Sequence, residues 1–339
     1  FDQYWEYDKQ TDIPYMWAES TAYWYRGSKI ATITGGDLYT APKLQPTTDD
    51  ENKVVFGKES GVELIPIDIP SMCEKNRDLM TVIEDSTVKR IVKEYEKFKK
   101  KLDIFHVAFS GGKDSAVLLD LVKKALPKGS FVVIFGDTGM EFPDTYDAVE
   151  ITRQQCENDG TPFYTAKSHF DPHQSWEIFG PPARVLRWCC SVHKSTPQTI
   201  KMRELTGKDN YTGLDFVGVR GAESVTRSQY EYEGFGKKQK GQYSYNPILE
   251  WTSAEIWLYI LENDLHVNCA YKKGNSRAGC LFCPMSGGAS DFFRRTSYTK
   301  EIDAYIDHIK RSYNSKDIKQ VNSYLMNGGW NARNNGRDL

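Results

Sequence analysis

Apolar residues change their spacing several times along this 339-residue chain. Within residues 1–65, short alternating stretches at 23–25, 30–34 and 38–40 are divided by Gly27 and by Gly35-Gly36. A period of two sends side chains to opposite faces, which predicts a small β meander. Residues 45–53, rich in Pro, Thr, Asp, Glu and Asn, predict a loop. Between 87 and 102 the period changes: Val88, Ile91, Val92, Tyr95 and Phe98 recur at helical spacing, predicting an amphipathic helix. An apolar run, residues 104–109, then predicts a buried strand, and residues 116–125 an amphipathic helix.

The alternation continues with strands at 131–135, 163–165 and 215–219 and helices at 143–157, 196–206 and 253–262. Strands that alternate with helices predict an α/β fold with a mostly parallel sheet covered on both faces. Ligands in such sheets sit beyond the carboxyl ends of the strands. The chain divides into a β-rich accessory unit (1–65), a linker with its helix (66–102), a core (103–290) and a helical C-terminal extension (291–339). The helix at 253–262 reads as scaffold that buries Ile256, Trp257 and Ile260.

Composition alters this picture little. A net charge of −2 gives no overall basic field for nucleic acid. No run of 18 apolar residues predicts a membrane span, and no secretory leader is visible, so cytoplasm is the expected compartment. Seven cysteines, five of them between 189 and 283, suggest metal ligation in preference to disulfides.

The candidate chemistry begins where the first core strand ends. Ser110-Gly111-Gly112-Lys113-Asp114-Ser115 puts a glycine turn between that strand and a helix start, where free N–H groups and the helix dipole converge on an anion. Without Cβ atoms, Gly111 and Gly112 admit phosphate close to the backbone. Lys113 adds a point charge, and Ser110 and Ser115 add hydroxyls. The spacing is not that of a Walker loop. One β-α unit later, Asp137-Thr138-Gly139 follows a strand, where a carboxylate can hold a ribose hydroxyl, an adenine amine or Mg²⁺. A further constellation joins Cys189-Cys190 to Cys269 and to Cys280-Leu-Phe-Cys283-Pro284. A C-x-x-C hairpin presents two thiolates to one metal, whose softness selects iron–sulfur or zinc. Arg184, Arg187 and Lys194 add a local basic group, which Arg277 is expected to join. His193 is expected on the surface, Cys156 buried in a helix, and Cys73 without special chemistry.

Five segments then carry a resemblance: Ser110 to Ser115, Asp137-Thr-Gly-Met-Glu-Phe-Pro-Asp-Thr-Tyr146, Arg187-Trp-Cys-Cys190, Gly218-Val-Arg220-Gly-Ala-Glu223-Ser224 and Asn246-Pro-Ile-Leu-Glu-Trp251. Their order, over about residues 104–290, resembles the phosphoadenosine phosphosulfate (PAPS) reductase family of PP-loop ATP pyrophosphatases. The resemblance implies an adenine nucleotide α-hydrolase-like (Rossmann-like) core. It places nucleotide on Ser110–Ser115 and Asp137–Gly139, with Arg220 and Glu223 near the phosphates and Arg227 close by. The cysteine spacing resembles the [4Fe–4S] pattern of adenylyl-sulfate reductases. Cys280, Cys283 and Cys190 are the expected ligands, while Cys189 and Cys269 compete for the fourth place and zinc is the alternative metal. Lys194, four residues after Cys190, fits a family Cys-Cys-x-x-x-Lys pattern.

Two departures redirect the expected function. The assimilatory reductases carry a nucleophilic cysteine in a Glu-Cys-Gly-x-His tail, and no cysteine follows Cys283 here. They also commonly lose the complete Ser-Gly-Gly-x-Asp-Ser loop, which this chain keeps. The expectation is an ATP α-β hydrolase that adenylates an acceptor for iron–sulfur-dependent sulfur transfer, of the nucleic-acid thiolation or phosphorothioation type. Lys113, Asp114 and Arg220 are its catalytic candidates, with Asp114 or Asp137 positioning Mg²⁺. Its partners would be an adenine nucleotide, a nucleic-acid or protein acceptor, and a sulfur donor such as a cysteine desulfurase. An oligomer is compatible with the sequence. The alternatives are a thiol-dependent PAPS or adenylyl-sulfate reductase, whose tail is truncated or whose nucleophile is Cys189, and a non-catalytic ATP-binding subunit.

Overall fold

The structure is a computed structural model that describes residues 1–19, 21–235, 241–286, 288–313 and 316–332. The chain begins with an antiparallel sheet of β1 (Trp17–Glu19), β2 (Ala22–Tyr25), β3 (Ser28–Thr34) and β4 (Lys43–Pro46), in that order. Trp5, Tyr25, Ile30, Ala31 and Leu64 give this unit a small core of its own. The expected stretch at 38–40 is not a strand. Asp37 Oδ1 accepts from Tyr39 N and Thr40 N, both at 2.7 Å, and this turn takes up the backbone donors that a ladder would need. The fourth strand comes later, with Leu44 opposite Ile33, so the expected loop at 45–53 starts inside it.

Helix α1 (Ile69–Phe98) begins far upstream of the predicted 87. Asp68 caps it, accepting from Ser71 N, and Pro70 lies in its first turn. Leu79 and Val82 stay exposed, so the early turns lack the apolar stripe that reveals a helix in sequence. The core follows as β5 (Ile104–Phe109), α2 (Lys113–Ala125), β6 (Val132–Asp137), α3 (Pro143–Asp159), β7 (Phe163–Lys167) and α4 (Pro172–Phe179). A short helix, α5 (Trp188–Cys190), runs through a π turn (Ser191–Ser195) into α6 (Thr196–Thr206). Then come β8 (Gly213–Phe216), β9 (Glu233–Phe235), β10 (Gln242–Tyr245), α7 (Ser253–Glu262), α8 (Ala289–Ser297), α9 (Thr299–Ser312), α10 (Ile318–Met326) and α11 (Gly329–Ala332). The strand predicted at 215–219 instead spans Gly213–Phe216, and Val217 N donates to Tyr245 O just beyond its end. The last seven residues of the expected C-terminal extension lie outside the described ones.

The second sheet runs β7-β6-β5-β8-β10-β9, parallel throughout except for β9 at the edge. Val107, Phe109, Val133, Phe135, Leu214 and Phe216 fill its centre, and Val117, Leu118, Leu121 and Ile256 pack on it from the helices. Strands β5, β6 and β8 are adjacent, so the loops after them emerge side by side. That is the expected mostly parallel α/β core, and it places the loop at 110–112, Asp137 and Arg220 at one end of the sheet. Among the described residues no helix is long and apolar enough to cross a membrane.

Candidate functional site

The turn after β5 requires its glycines. Gly111 has φ +70°, and a Cβ there would lie 2.8 Å from Thr145 Cγ2 of α3. A Cβ on Gly112 would meet the Tyr271 hydroxyl at 3.2 Å. Ser115 Oγ, on the first turn of α2, accepts from Ser110 N at 3.2 Å and donates to Gly112 O at 2.9 Å. The two serine hydroxyls lie 3.1 Å apart. Asn268 Nδ2 donates to Gly111 O, and Lys113 N donates to the Tyr271 hydroxyl at 3.0 Å. The loop is thereby preformed as a shallow cradle at a helix N-terminus.

The charges around it are buried and paired. Lys113 and Arg220 are 8% and 3% exposed. Asp114 lies between them, with Oδ2 2.9 Å from Lys113 Nζ and Oδ1 2.6 Å from Arg220 Nε. Gly218 permits this approach, because a Cβ there would sit 3.1 Å from the Asp114 carbonyl. Glu223 accepts from Arg220 N at 3.1 Å, pairs with Arg227, and lies 3.7 Å from Arg277. Four cations therefore face two carboxylates, and the positive surplus suits a polyanion. Arg277 belongs to this end, not to the cysteine segment where sequence reasoning put it.

Asp137 ends β6 with both oxygens engaged. Oδ1 accepts from Gly139 N and the Tyr146 hydroxyl, both at 2.8 Å, and Oδ2 pairs with Lys167 at 3.1 Å. Thr138 turns the other way: its hydroxyl donates to Glu141 Oε1 at 2.9 Å and lies 3.6 Å from Cys280 Sγ. Here the nucleotide motif meets the cysteines through main chain. Glu141 and Cys280 form an antiparallel bridge, and Leu281 N donates to Met140 O at 2.7 Å.

Four of the five candidate cysteines gather on that side. The charges of Cys189, Cys190, Cys280 and Cys283 act on one another. A hydrogen bond from Cys189 holds the Cys190 thiol low, helped by Arg187, whose Nη2 is 3.5 Å from Cys190 Sγ, and by Lys194. Cys189 is correspondingly held protonated. Burial, and then Glu141, push Cys280 well above the usual thiol range. Cys269 is different: it is exposed and acts on Tyr298. Among the described residues no group of three or more His, Cys, Asp or Glu is arranged to hold a metal ion. Arg184 Nε donates to Pro284 O at 3.4 Å, so Arg184, Arg187 and Lys194 do surround the thiols as expected. His193 does not lie on the surface. The π turn rotates it inward, where it is buried, lies 3.1 Å from Ser175 Oγ, and is shifted down by burial. Cys156 is buried in α3, as its helical position predicted.

Sequence reasoning missed two buried groups. Glu141 lies within the motif after β6, yet its Oε2 has no partner, and burial raises its carboxyl. Arg294 of α8 is 7% exposed, with Nε and Nη1 unpartnered, and no local pattern marks it.

With this geometry in place, the family can be stated. The sequence model of the phosphoadenosine phosphosulfate reductase domain matches residues 104–286, and the chain belongs to that family. An uncharacterized protein of Methanocaldococcus jannaschii is 33% identical over 254 residues, covering 74% of this chain and 58% of that one. A second from the same organism is 36% identical over 216 residues, covering 63% and 42%. The chain thus spans about half the length of these relatives. An adenosine 5'-phosphosulfate reductase of Halalkalibacterium halodurans is 28% identical over 200 residues, covering 58% of this chain and 81% of that one. Among solved structures, a Candida auris phosphoadenylyl-sulfate reductase in a phosphate complex has a TM-score of 0.42 at 19% identity, covering 56% and 87%.

Proposed function

We propose that the chain is an ATP α-β hydrolase that adenylates an acceptor oxygen and couples this step to sulfur transfer at the thiols. Membership of the family supports an enzyme that binds an adenine nucleotide. The finer reading rests on one observation above all: the complete cradle at 110–115, backed by buried Lys113 and Arg220, ends the strand next to the one whose following loop is bridged by main chain, Glu141 to Cys280, to the thiol segment.

In this reading the amides of Gly111 and Gly112 hold the β and γ phosphates, because the Lys113 amide already donates to the Tyr271 hydroxyl. The acceptor oxygen attacks the α phosphorus, the bond from that phosphorus to the bridging oxygen breaks, and pyrophosphate leaves with the electron pair. Lys113 and Arg220 stabilise the charge that develops on the bridging oxygen, and Asp114 keeps both cations in place. The two aspartates do not fit Mg²⁺ as they are arranged. Asp114 is clamped by two cations, and Asp137 by an amide, a hydroxyl and Lys167, so no step is routed through the metal. The thiols are soft donors, the kind that a [4Fe–4S] cluster or zinc takes, and Cys189, Cys190, Cys280 and Cys283 are the candidates to hold one. As arranged they form no metal-holding group, so no step is routed through one.

A second reading is reduction of adenylyl sulfate or PAPS to sulfite by an external thiol, favoured by the 28% identity to a reductase. Cys189 suits the nucleophile of that reading poorly, because it is buried and held protonated by the hydrogen bond that it donates to Cys190. Anaerobic incubation with ATP or adenylyl sulfate separates the two. Pyrophosphate from ATP without sulfite is expected; sulfite from adenylyl sulfate and no pyrophosphate would replace the first reading with the second. Tight ATP binding without either product would leave a non-catalytic subunit.

A further inference from the structure

One aromatic side chain from outside the glycine turn touches Lys113 at both ends. Tyr271 lies in the segment after α7, and its hydroxyl accepts from Lys113 N at 3.0 Å. The Lys113 ammonium lies over the face of the same ring, 5.3 Å from its centre. The ring is itself fixed in place. Trp257 of α7 packs edge-on against it at 5.6 Å. Tyr271 N donates to Asn268 O at 3.1 Å. Buried Asn268 in turn engages Gly111 O, Thr145 Oγ1 and Ala270 N with its side chain, each at 2.9 Å. The ring is thereby tied to the turn that forms the cradle. A lysine carries its charge on a flexible four-carbon stem, so an ammonium with a task needs something to hold its tip. Asp114 meets it at 2.9 Å but is shared with Arg220. The electron-rich ring face is the second anchor, and such a contact gains strength where the cation is buried, as Lys113 is.

We infer that Tyr271 is a positioning residue that aims the Lys113 ammonium, its ring holding the charge and its hydroxyl the backbone beneath it. The inference rests on the reading of the loop as the pyrophosphate seat and goes beyond it, adding a residue that acts through Lys113 and not on the nucleotide itself. Losing the ring should therefore slow the chemical step and leave ATP binding, which the glycine amides supply, nearly unchanged. Phenylalanine keeps the face beneath the ammonium, so it should work where leucine, which has bulk but no such face, does not.

The test uses the full chain. First, pyrophosphate release from ATP is measured on the unsubstituted protein; no release overturns the reading of the loop, and this inference with it. Then kcat and KM for that release are compared for Tyr271→Phe and Tyr271→Leu, with a thermal melt of each. A kcat lowered at least tenfold in Tyr271→Leu at a KM within about threefold, with Tyr271→Phe within about threefold in both, supports the inference. A second comparison removes the lysine. In single-turnover reactions with enzyme in excess, Tyr271→Leu added to Lys113→Ala should slow the residual release less than about twofold, since no ammonium is left to aim. A tenfold loss in that background shows that Tyr271 acts without the lysine and overturns the inference. An unchanged kcat in Tyr271→Leu overturns it too, and so does a loss that Tyr271→Phe shares in full. If Tyr271→Leu does not fold, Tyr271→Met takes its place; failure of both to fold assigns the ring to packing and overturns the inference.

Discussion

The two ends of this site are built on opposite principles. At the nucleotide end every charge has a protein partner: Asp114 pairs with Lys113 and Arg220, and Glu223 with Arg227 and Arg277. At the thiol end Glu141 Oε2 and the Arg294 nitrogens Nε and Nη1 are buried without one. A folded chain tolerates few such groups, because each costs about 1–3 kcal/mol of desolvation. The first end is preorganised and waits for a ligand that brings its own charge. The second leaves buried polar atoms without a protein partner, as the fold also does at Trp5 Nε1 and Arg90 Nε far from the site.

The comparison breaks most readily at Lys113. Replacing Lys113 with Ala should lower pyrophosphate release at least a hundredfold, since one preorganised donor is worth about 3–4 kcal/mol in the transition state. Iron uptake should be unchanged, because the lysine belongs to the other end. A near-normal rate of pyrophosphate release would remove the cradle from the chemistry. The thiol end makes the reciprocal statement. Cys280→Ser and Cys283→Ser should retain less than about a tenth of the iron, whereas exposed Cys269→Ser should keep the original content. Loss of iron from the Cys269 variant, read by a colorimetric iron assay, would put that residue back among the ligands.

Gly111→Ala tests how rigid the preformed end is. At φ +70°, with Thr145 Cγ2 2.8 Å from the new Cβ, the substitution should cost about 2 kcal/mol and weaken ATP binding at least tenfold. Calorimetric titration with ATP, alongside a thermal melt, reads both effects; wild-type affinity would mean that the turn is not a phosphate seat.

An effect confined to acid pH belongs to the scaffold beneath both ends. His106 of β5 lies opposite Asp215 of β8, with Nε2 3.2 Å from Oδ1. Burial outweighs that carboxylate and lowers the imidazole to about 3. The folded chain keeps the ring neutral, while the unfolded chain takes up a proton below its ordinary value of about 6.5. This contribution is therefore complete above pH 6.5 and is lost as the pH falls towards 3, by up to about 1.4 kcal/mol per pH unit. His106→Gln should flatten that part of a stability-against-pH curve measured by urea unfolding. An unchanged slope would show that the imidazole is charged in the fold.

Much of the nucleotide end was legible because its geometry is local. Residues 110–115 are contiguous, so the strand, the glycines and the helix start could be read together. Asp137 could be placed because it ends an apolar run. Helices α6 and α7 fell within their predicted bounds, since a Pro at the start of one, a Thr252–Glu255 capping box on the other and periodic apolar residues all agree. The rest depends on tertiary contact. Strands β9 and β10 carry too many polar residues to stand out, and pairing with β8 on one side and β9 on the other makes β10 a strand. Helix α4 begins at an Asp171 cap followed by proline, a signal present in the sequence but left unused. His193 turned inward because the π turn shifts its phase, which a 3.6-residue period does not anticipate. Arg294 gave no warning, since the Phe142 ring that it packs against lies more than a hundred positions away.

The pairing of Glu141 with Cys280 is made by peptide groups, so it does not depend on which side chains occupy either strand. Substitutions can alter the side chains at either end while the spacing between the two segments stays constant. A one-residue insertion on either side of this clasp would instead shift both ends at once.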